Sequence, residues 1–236
     1  MAFGDLGGNQ AEYVRVPLAD HHLEHVPSEI SDEAAVFLSC NLPAAVIAVD
    51  AAEIEATDTV AVIGSGPTGL LALELARQRT RGEVLAFDRV AGRLARAGEL
   101  GAHPVNVVTD DVDAAVAAAS GGRGVDKVIE FGGRGDAFNL AVSIARPGGV
   151  ISGGDVYLEQ AHPVSLFDMY FKNLQIRLNG FANAKTAQWK ARQLVAQGVI
   201  DPTTVLSHRV TLAEFPKAAA SYAAREDGFF KMLVRP

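Results

Sequence analysis

From Thr59 to about Phe181 the chain repeats one pattern, a short apolar run followed by an amphipathic stretch. The apolar runs are TVAVIG, EVLAFD, PVNVV, DKVIEFGG and GGVISGG; between them stand PTGLLALELARQRT, AGRLARAGEL, DVDAAVAAA and DAFNLAVSIA. Runs that are continuously apolar, rather than alternating, describe strands buried on both faces. Such strands belong to a parallel sheet covered by helices on each side. The expected class is therefore α/β and doubly wound.

Composition closes off other classes. The 236 residues are 49% hydrophobic, enough for a sizeable core, and no Pro/Gly/Ser linker or repeat divides them. A net charge of −7 argues against a nucleic-acid partner, and Arg77, Arg79 and Arg81 read as a solvated helix end. Cys40 is the single cysteine, so no internal disulfide forms and nothing requires an oxidising compartment. The N-terminus lacks the basic and apolar segments of a secretory signal. Apolar runs such as Leu42 to Val49 fall short of the roughly 18 to 20 residues of a membrane helix. A cytoplasmic protein without a membrane partner is the expectation.

Gly64-Ser65-Gly66-Pro67-Thr68-Gly69 fits the pattern GxGxxG, directly after the strand TVAVI and at the start of a helix. In that context Gly64 permits a tight turn, Gly66 lets backbone approach a pyrophosphate, and Gly69 lets helix pack on strand. The helix start, with Pro67 and Thr68, then offers free N–H groups and partial positive charge to the anion. Asp88 ends the second strand about 20 residues on, where an acid accepts from both ribose hydroxyls and repels a 2′-phosphate. This favours NAD(H); Arg89 and Arg93 are the alternative, since either can pair with a phosphate. The reading is a Rossmann sheet of order 3-2-1-4-5-6.

The flanks read differently. AEYVRVP is expected as a strand ended by Pro17, HHLEHVP as a second extended piece, and SDEAAVFLS as a helix capped by Ser31. TAQWKARQLVAQG reads as a helix closed by Gly198, LAEFPKAAASYAAR as a helix interrupted by Pro216, and FFKMLVR as a terminal strand.

With these motifs in order, the sequence resembles the zinc-type medium-chain alcohol dehydrogenases, and within them the branch of glutathione-independent formaldehyde dehydrogenases. The resemblance rests on GGNQAEYVRVPLAD, FLSCNLPA, VAVIGSGPTGLLALELA, FDRVAGRLARAGELGA, GVDKVIEFGG, ARPGGVI, KNLQIRLNG, VLSHRVTLAEFPKAAASY and GFFKMLVRP, and covers nearly the whole chain. It implies that Gly64, Gly66 and Gly69 cradle a pyrophosphate, that Asp88 holds the adenosine ribose and that Arg93 lies beside it. Phe131 and Gly132 would border the ribose and nicotinamide, and the backbone from Gly154 to Val156 would meet the carboxamide. Lys231 resembles the basic residue that reaches the pyrophosphate; read by itself it is an ordinary edge-strand lysine. The stretch Leu174 to Phe181 resembles the sheet edge through which such proteins pair, so a homodimer is expected.

The same resemblance implies a catalytic domain of about 100 residues or more ahead of AEYVRVP. The expected division is a remnant of that domain at 1–41, the nucleotide-binding domain at 42–181, and a return to the remnant at 182–236. A four-cysteine structural zinc is excluded by the single cysteine. Cys40 falls at a catalytic-zinc ligand position whose companions have no counterpart, so it is expected as a vestige and zinc is not expected. His21, His22 and His25 match no ligand position; on an extended segment His21 and His22 would face opposite ways. Ala44-Ala45 stands where the branch has Thr-Gly, and Asp155 where relatives commonly have Gly. Asp155 or Tyr157 is a candidate proton donor, although neither matches a family catalytic residue.

Three functions follow. The first is an NAD(H)-dependent oxidoreductase acting on an alcohol, aldehyde or other small carbonyl substrate. The second is a non-redox enzyme using the opened cleft. The third is an NAD(H)-binding pseudoenzyme or partner subunit. The first is preferred, because every cofactor-side feature is present.

Overall fold

A computed structural model describes residues 8, 10–158, 161–180, 184–226 and 228–236. Phe181 and the expected boundary beside it lie outside the described residues.

The chain runs α1 (Ala19–His22), α2 (Asp32–Ala35), α3 (Asn41–Ala52), β1 (Val60–Ile63), α4 (Pro67–Arg77), β2 (Val84–Asp88), α5 (Ala91–Glu99) and β3 (His103–Asn106). It continues through α6 (Val112–Ser120), β4 (Val125–Glu130), α7 (Gly135–Ile144), β5 (Ala145–Gly153), α8 (Leu166–Phe171) and β6 (Gln175–Leu178). The C-terminal part holds α9 (Ala184–Ala196), a short 3₁₀ turn, β7 (His208–Thr211), α10 (Phe215–Ala223) and β8 (Met232–Arg235).

Six strands form one parallel sheet in the order β3-β2-β1-β4-β5-β6, as expected. Strand alternation sends Val60 and Val62 into a core with α3, α4 and α9, while Ala61 and Ile63 face a second core with α6 and α7. Register aligns the strand ends: Ile63 stands beside Phe87 and Glu130, Glu130 beside Gly153, and Gly153 beside Leu178. The turns after β1, β2, β4 and β5 thus leave the sheet along one carboxyl edge, where doubly wound sheets bind ligands.

The apolar run from Leu42 to Val49 is the core of α3, with Leu42, Ala45, Ala48 and Val49 fully buried. A helix apolar all round is one buried all round. Ser152 on β5 donates its hydroxyl to Ala48 O at 2.7 Å and ties that helix to the sheet.

The flanks correct several expectations. AEYVRVP forms no strand; these residues are mostly exposed and pair with no strand among the described residues, and apolar alternation without a partner does not make a sheet. His21 and His22 lie on the helical turn α1 rather than on an extended segment, with rings edge to face at 5.2 Å. Pro216 lies in the first turn of α10, where its missing N–H costs nothing, so it starts the helix instead of interrupting it. Ser31 does cap α2, accepting from Ala34 N at 3.2 Å. The two ends of the chain meet: Arg209 grips Glu33 at 2.6 and 2.5 Å, and β7 pairs with β8 in a separate two-stranded sheet. Among the described residues no helix is long and apolar enough to cross a membrane.

Candidate functional site

The glycines of the first turn are glycines for different reasons. Gly64 has φ +88°, and a Cβ there would stand 2.6 Å from the Phe131 carbonyl. A Cβ on Gly69 would lie 1.8 Å from Gly64 O, so strand and helix close on each other there. Gly66 is unlike both: its φ is −69°, and its Cβ would meet nothing nearer than an Arg93 guanidinium nitrogen at 3.8 Å. Nothing in the protein demands glycine at 66; the space beyond it is left for something else. Gly66 also caps α4 without a side-chain hydrogen bond, leaving the helix N-terminus electropositive. Thr68 Oγ1 accepts from Asn41 Nδ2 at 2.9 Å, which leaves its hydroxyl hydrogen to donate elsewhere.

Asp88 organises the next turn. Its Oδ2 accepts from Ser65 N at 2.8 Å, and its Oδ1 from Arg89 N at 2.7 Å and Val90 N at 3.0 Å. The buried carboxylate thereby joins the β2 end to the glycine turn, and Arg93 Nη1 lies 3.9 Å away. Arg89 stands 3.8 Å from Asp136, which Arg134 also holds at 3.1 Å.

Beyond β4 and β5 lies a second cluster. Phe131 N donates to Ile63 O and Gly154 N to Glu130 O, holding the two turns against β1 and each other. Glu130 is fully buried. Its Oε1 accepts from Gly132 N at 2.5 Å and Gly133 N at 3.1 Å, and its Oε2 accepts the Tyr157 hydroxyl. Burial pushes the Glu130 carboxyl above its ordinary range, against the pull of these donors, and Asp155 adds to the upward push. Asp155, exposed at this turn, accepts from Val156 N at 2.7 Å, and partial desolvation raises its carboxyl. Burial and the neighbouring Glu130 raise the Tyr157 phenol as well.

These turns enclose a cleft of about 930 Å³. Gly64, Gly66, Pro67, Thr68 and Gly69 line it at one turn; Asp88, Arg89 and Arg93 line the next; Phe131, Gly132, Gly154, Asp155 and Val156 line the far part. Tyr157 and Lys231 are not on its wall: the Tyr157 hydroxyl is committed to Glu130, and Lys231 lies half-buried near Cys40, its ammonium pushed down by burial. Cys40, exposed at the start of α3, is on the wall. Among the described residues no three His, Cys, Asp or Glu side chains come together at metal distance. Glu130, Asn41, Arg134 and Arg225 were not expected at the site. The sequence signal for Glu130 is an acid closing the apolar strand VDKVIE.

A six-stranded parallel sheet in this order, with a glycine turn and an acid at adjacent strand ends, is the arrangement of Rossmann-like cofactor-binding domains. Residues 67–197 match the family described as zinc-binding dehydrogenase, and the chain belongs to that family. It is 33% identical to the probable zinc-binding alcohol dehydrogenase Rv1895 of Mycobacterium tuberculosis, over 99% of this chain and 60% of that protein. It is 30% identical to an alcohol dehydrogenase of Cupriavidus necator, over 99% of this chain and 65% of that protein. The chain thus spans under two thirds of the length of these curated relatives. Among solved structures, alcohol dehydrogenase TADH from Thermus sp. ATN1 superposes with a TM-score of 0.92 at 33% identity, covering 100% of this chain and 68% of that one. A zinc-binding dehydrogenase of Sinorhizobium meliloti bound to NADP superposes at 0.78 with 31% identity, covering 89% of this chain and 61% of that one.

Proposed function

We propose that the chain binds NAD(H) in this cleft and serves an oxidoreductase acting on an alcohol, aldehyde or other small carbonyl compound. The observation that carries the reading is Gly66: neither its backbone angle nor its neighbours need glycine, whereas a phosphate approaching the α4 N-terminus does. When bound, the nicotinamide supplies hydride-transfer chemistry. The protein's part is to hold the dinucleotide and exclude water. The α4 N-terminus and the Thr68 hydroxyl would receive the pyrophosphate, and the lone pairs that Asp88 keeps would receive the ribose hydroxyls. The Phe131–Gly132 and Gly154–Val156 turns would frame the nicotinamide. Asp155, on the cleft wall with a raised pKa, is better placed than Tyr157 to hold a proton there.

Within the family, the quoted motifs favour the formaldehyde dehydrogenase-like branch. A homodimer through the free edge of β6 in the cytoplasm completes the reading. The test is isothermal titration of NADH and NAD⁺ into the wild-type chain and Gly66→Val. Binding by the wild type, weakened at least about tenfold in the variant with thermal stability unchanged, supports the reading. No heat with either redox form overturns it.

A further inference from the structure

The end of α10 breaks a local rule. Arg225 N donates to Tyr222 O at 3.1 Å and Glu226 N to Ser221 O at 3.2 Å, the pair of bonds that closes a helix on a left-handed residue. That residue is Arg225, with φ +54°. Glycine or asparagine ordinarily stands there, because a Cβ in the left-handed well is crowded by the backbone. The turn is held firmly: the buried Phe229 stacks on His208 at 3.9 Å between ring centroids and meets Tyr222 edge to face at 5.7 Å. A side chain kept at a costly position on a fixed turn calls for a compensating role.

Arg225 lies on the wall of the same cleft as Gly66 and Thr68. Four arginines line that cleft, and three have a carboxylate nearby: Arg93 has Asp88, while Arg89 and Arg134 share Asp136. Among the described residues Arg225 has no such partner, although it is exposed and charged. The cleft therefore carries a guanidinium with no carboxylate partner among the described residues, together with the uncapped N-terminus of α4. Both favour an anion, and the planar fork of a guanidinium matches a phosphate in particular.

We propose that Arg225 is a phosphate-binding residue, reaching from the C-terminal segment to a phosphate of the bound nicotinamide dinucleotide. The inference rests on the cofactor reading above and deepens it. The phosphate has two sources: the pyrophosphate, common to NADH and NADPH, or the 2′-phosphate of NADPH alone. Binding through Arg225 also joins α10 to the sheet domain across the cleft, so ligand should order the two together.

The test compares the wild type with Arg225→Gly and Arg225→Asn, titrated with NADH and NADPH at low and moderate salt, with melting temperatures in parallel. Both substitutions suit a left-handed position, so melting temperatures should hold or rise while affinity falls about tenfold, a loss that shrinks as salt increases. Equal losses for the two nucleotides assign the pyrophosphate; a loss confined to NADPH assigns the 2′-phosphate. Wild-type affinity in variants that remain folded overturns the role of Arg225 and leaves the cofactor reading standing. Failure of the wild type to bind either nucleotide overturns the cofactor reading, and this inference with it. A variant that melts earlier and loses affinity only in proportion assigns Arg225 a structural role and also overturns the proposal.

Discussion

The Tyr157 hydroxyl donates to Oε2 of Glu130, a buried carboxylate whose Oε1 takes the backbone N–H groups of Gly132 and Gly133. The pair bolts the turn after β4 to the segment after β5, and both turns line the cleft. Tyr157→Phe removes one donor and leaves a buried carboxylate less satisfied, a cost of about 1 to 3 kcal/mol. Glu130→Ala frees two backbone donors and opens a void, so it should cost more and also weaken NADH binding. Urea unfolding and nucleotide titration on the two variants check this. Tyr157→Phe with wild-type stability would show that the phenol adds nothing to the turn.

Glu74 gives a pH-dependent test away from the cleft. It lies on α4 with Oε2 buried and without a hydrogen-bond partner, and its carboxyl is raised above the ordinary range, first by burial and then by Asp201, against Arg96. A raised folded pKa means that the unfolded chain binds fewer protons than the folded one between the two pKa values, so stability falls as pH rises through that window. Above the window the full penalty remains; below about pH 4.5, the unfolded value, it is absent. Glu74→Gln should therefore stabilise by about 1 kcal/mol at pH 7 and by nothing measurable near pH 4. Denaturant midpoints at the two pH values decide it, and an equal effect at both would remove the linkage.

The parts legible in the sequence are those set by neighbours along the chain. The glycine turn, the acid at the end of β2 and the strand order all follow from local runs and from the rules of parallel sheets. What was not legible depends on contacts between distant segments. AEYVRVP has the alternation of a strand but no edge to join. Glu130 draws its role from Tyr157, 27 residues on, a pairing that no local pattern announces. The run from Leu42 to Val49 has no clear period because α3 is buried on every side, so periodicity is silent there. Arg225 stands out only once its backbone angle and its cleft are known together.

The edge of the sheet carries a prediction about assembly. Among the described residues β6 has a neighbour on one side only, and Leu178 at its end is exposed. On α8, Leu166, Phe167, Tyr170 and Phe171 are each more than two-thirds exposed, with the Phe167 and Phe171 rings 4.4 Å apart. A free strand edge and an exposed aromatic patch are surfaces that a partner chain commonly covers. Light scattering on the purified chain should give twice its 24.8 kDa, and Phe167→Glu with Phe171→Glu should give monomers that still bind NADH. A wild-type monomer at micromolar concentration would rule out this dimer.

On the proposed reading Asp88 serves both the turn and the choice of nucleotide, and the two can be separated. Asn at 88 keeps an oxygen for Arg89 N and Val90 N, but its amide nitrogen would face Ser65 N, a donor meeting a donor. Asp88→Asn should lose about 1 to 3 kcal/mol of stability on that account. It also removes the negative charge that would repel a 2′-phosphate and frees Arg93, 3.9 Å away, to pair with one. The preference for NADH over NADPH should therefore fall about tenfold or more, equivalent to at least about 1.4 kcal/mol between the two ligands. Fluorescence titration with both nucleotides measures the ratio. An unchanged ratio in a folded variant would mean that Asp88 serves the turn alone, and that selection between the nucleotides is made elsewhere in the cleft.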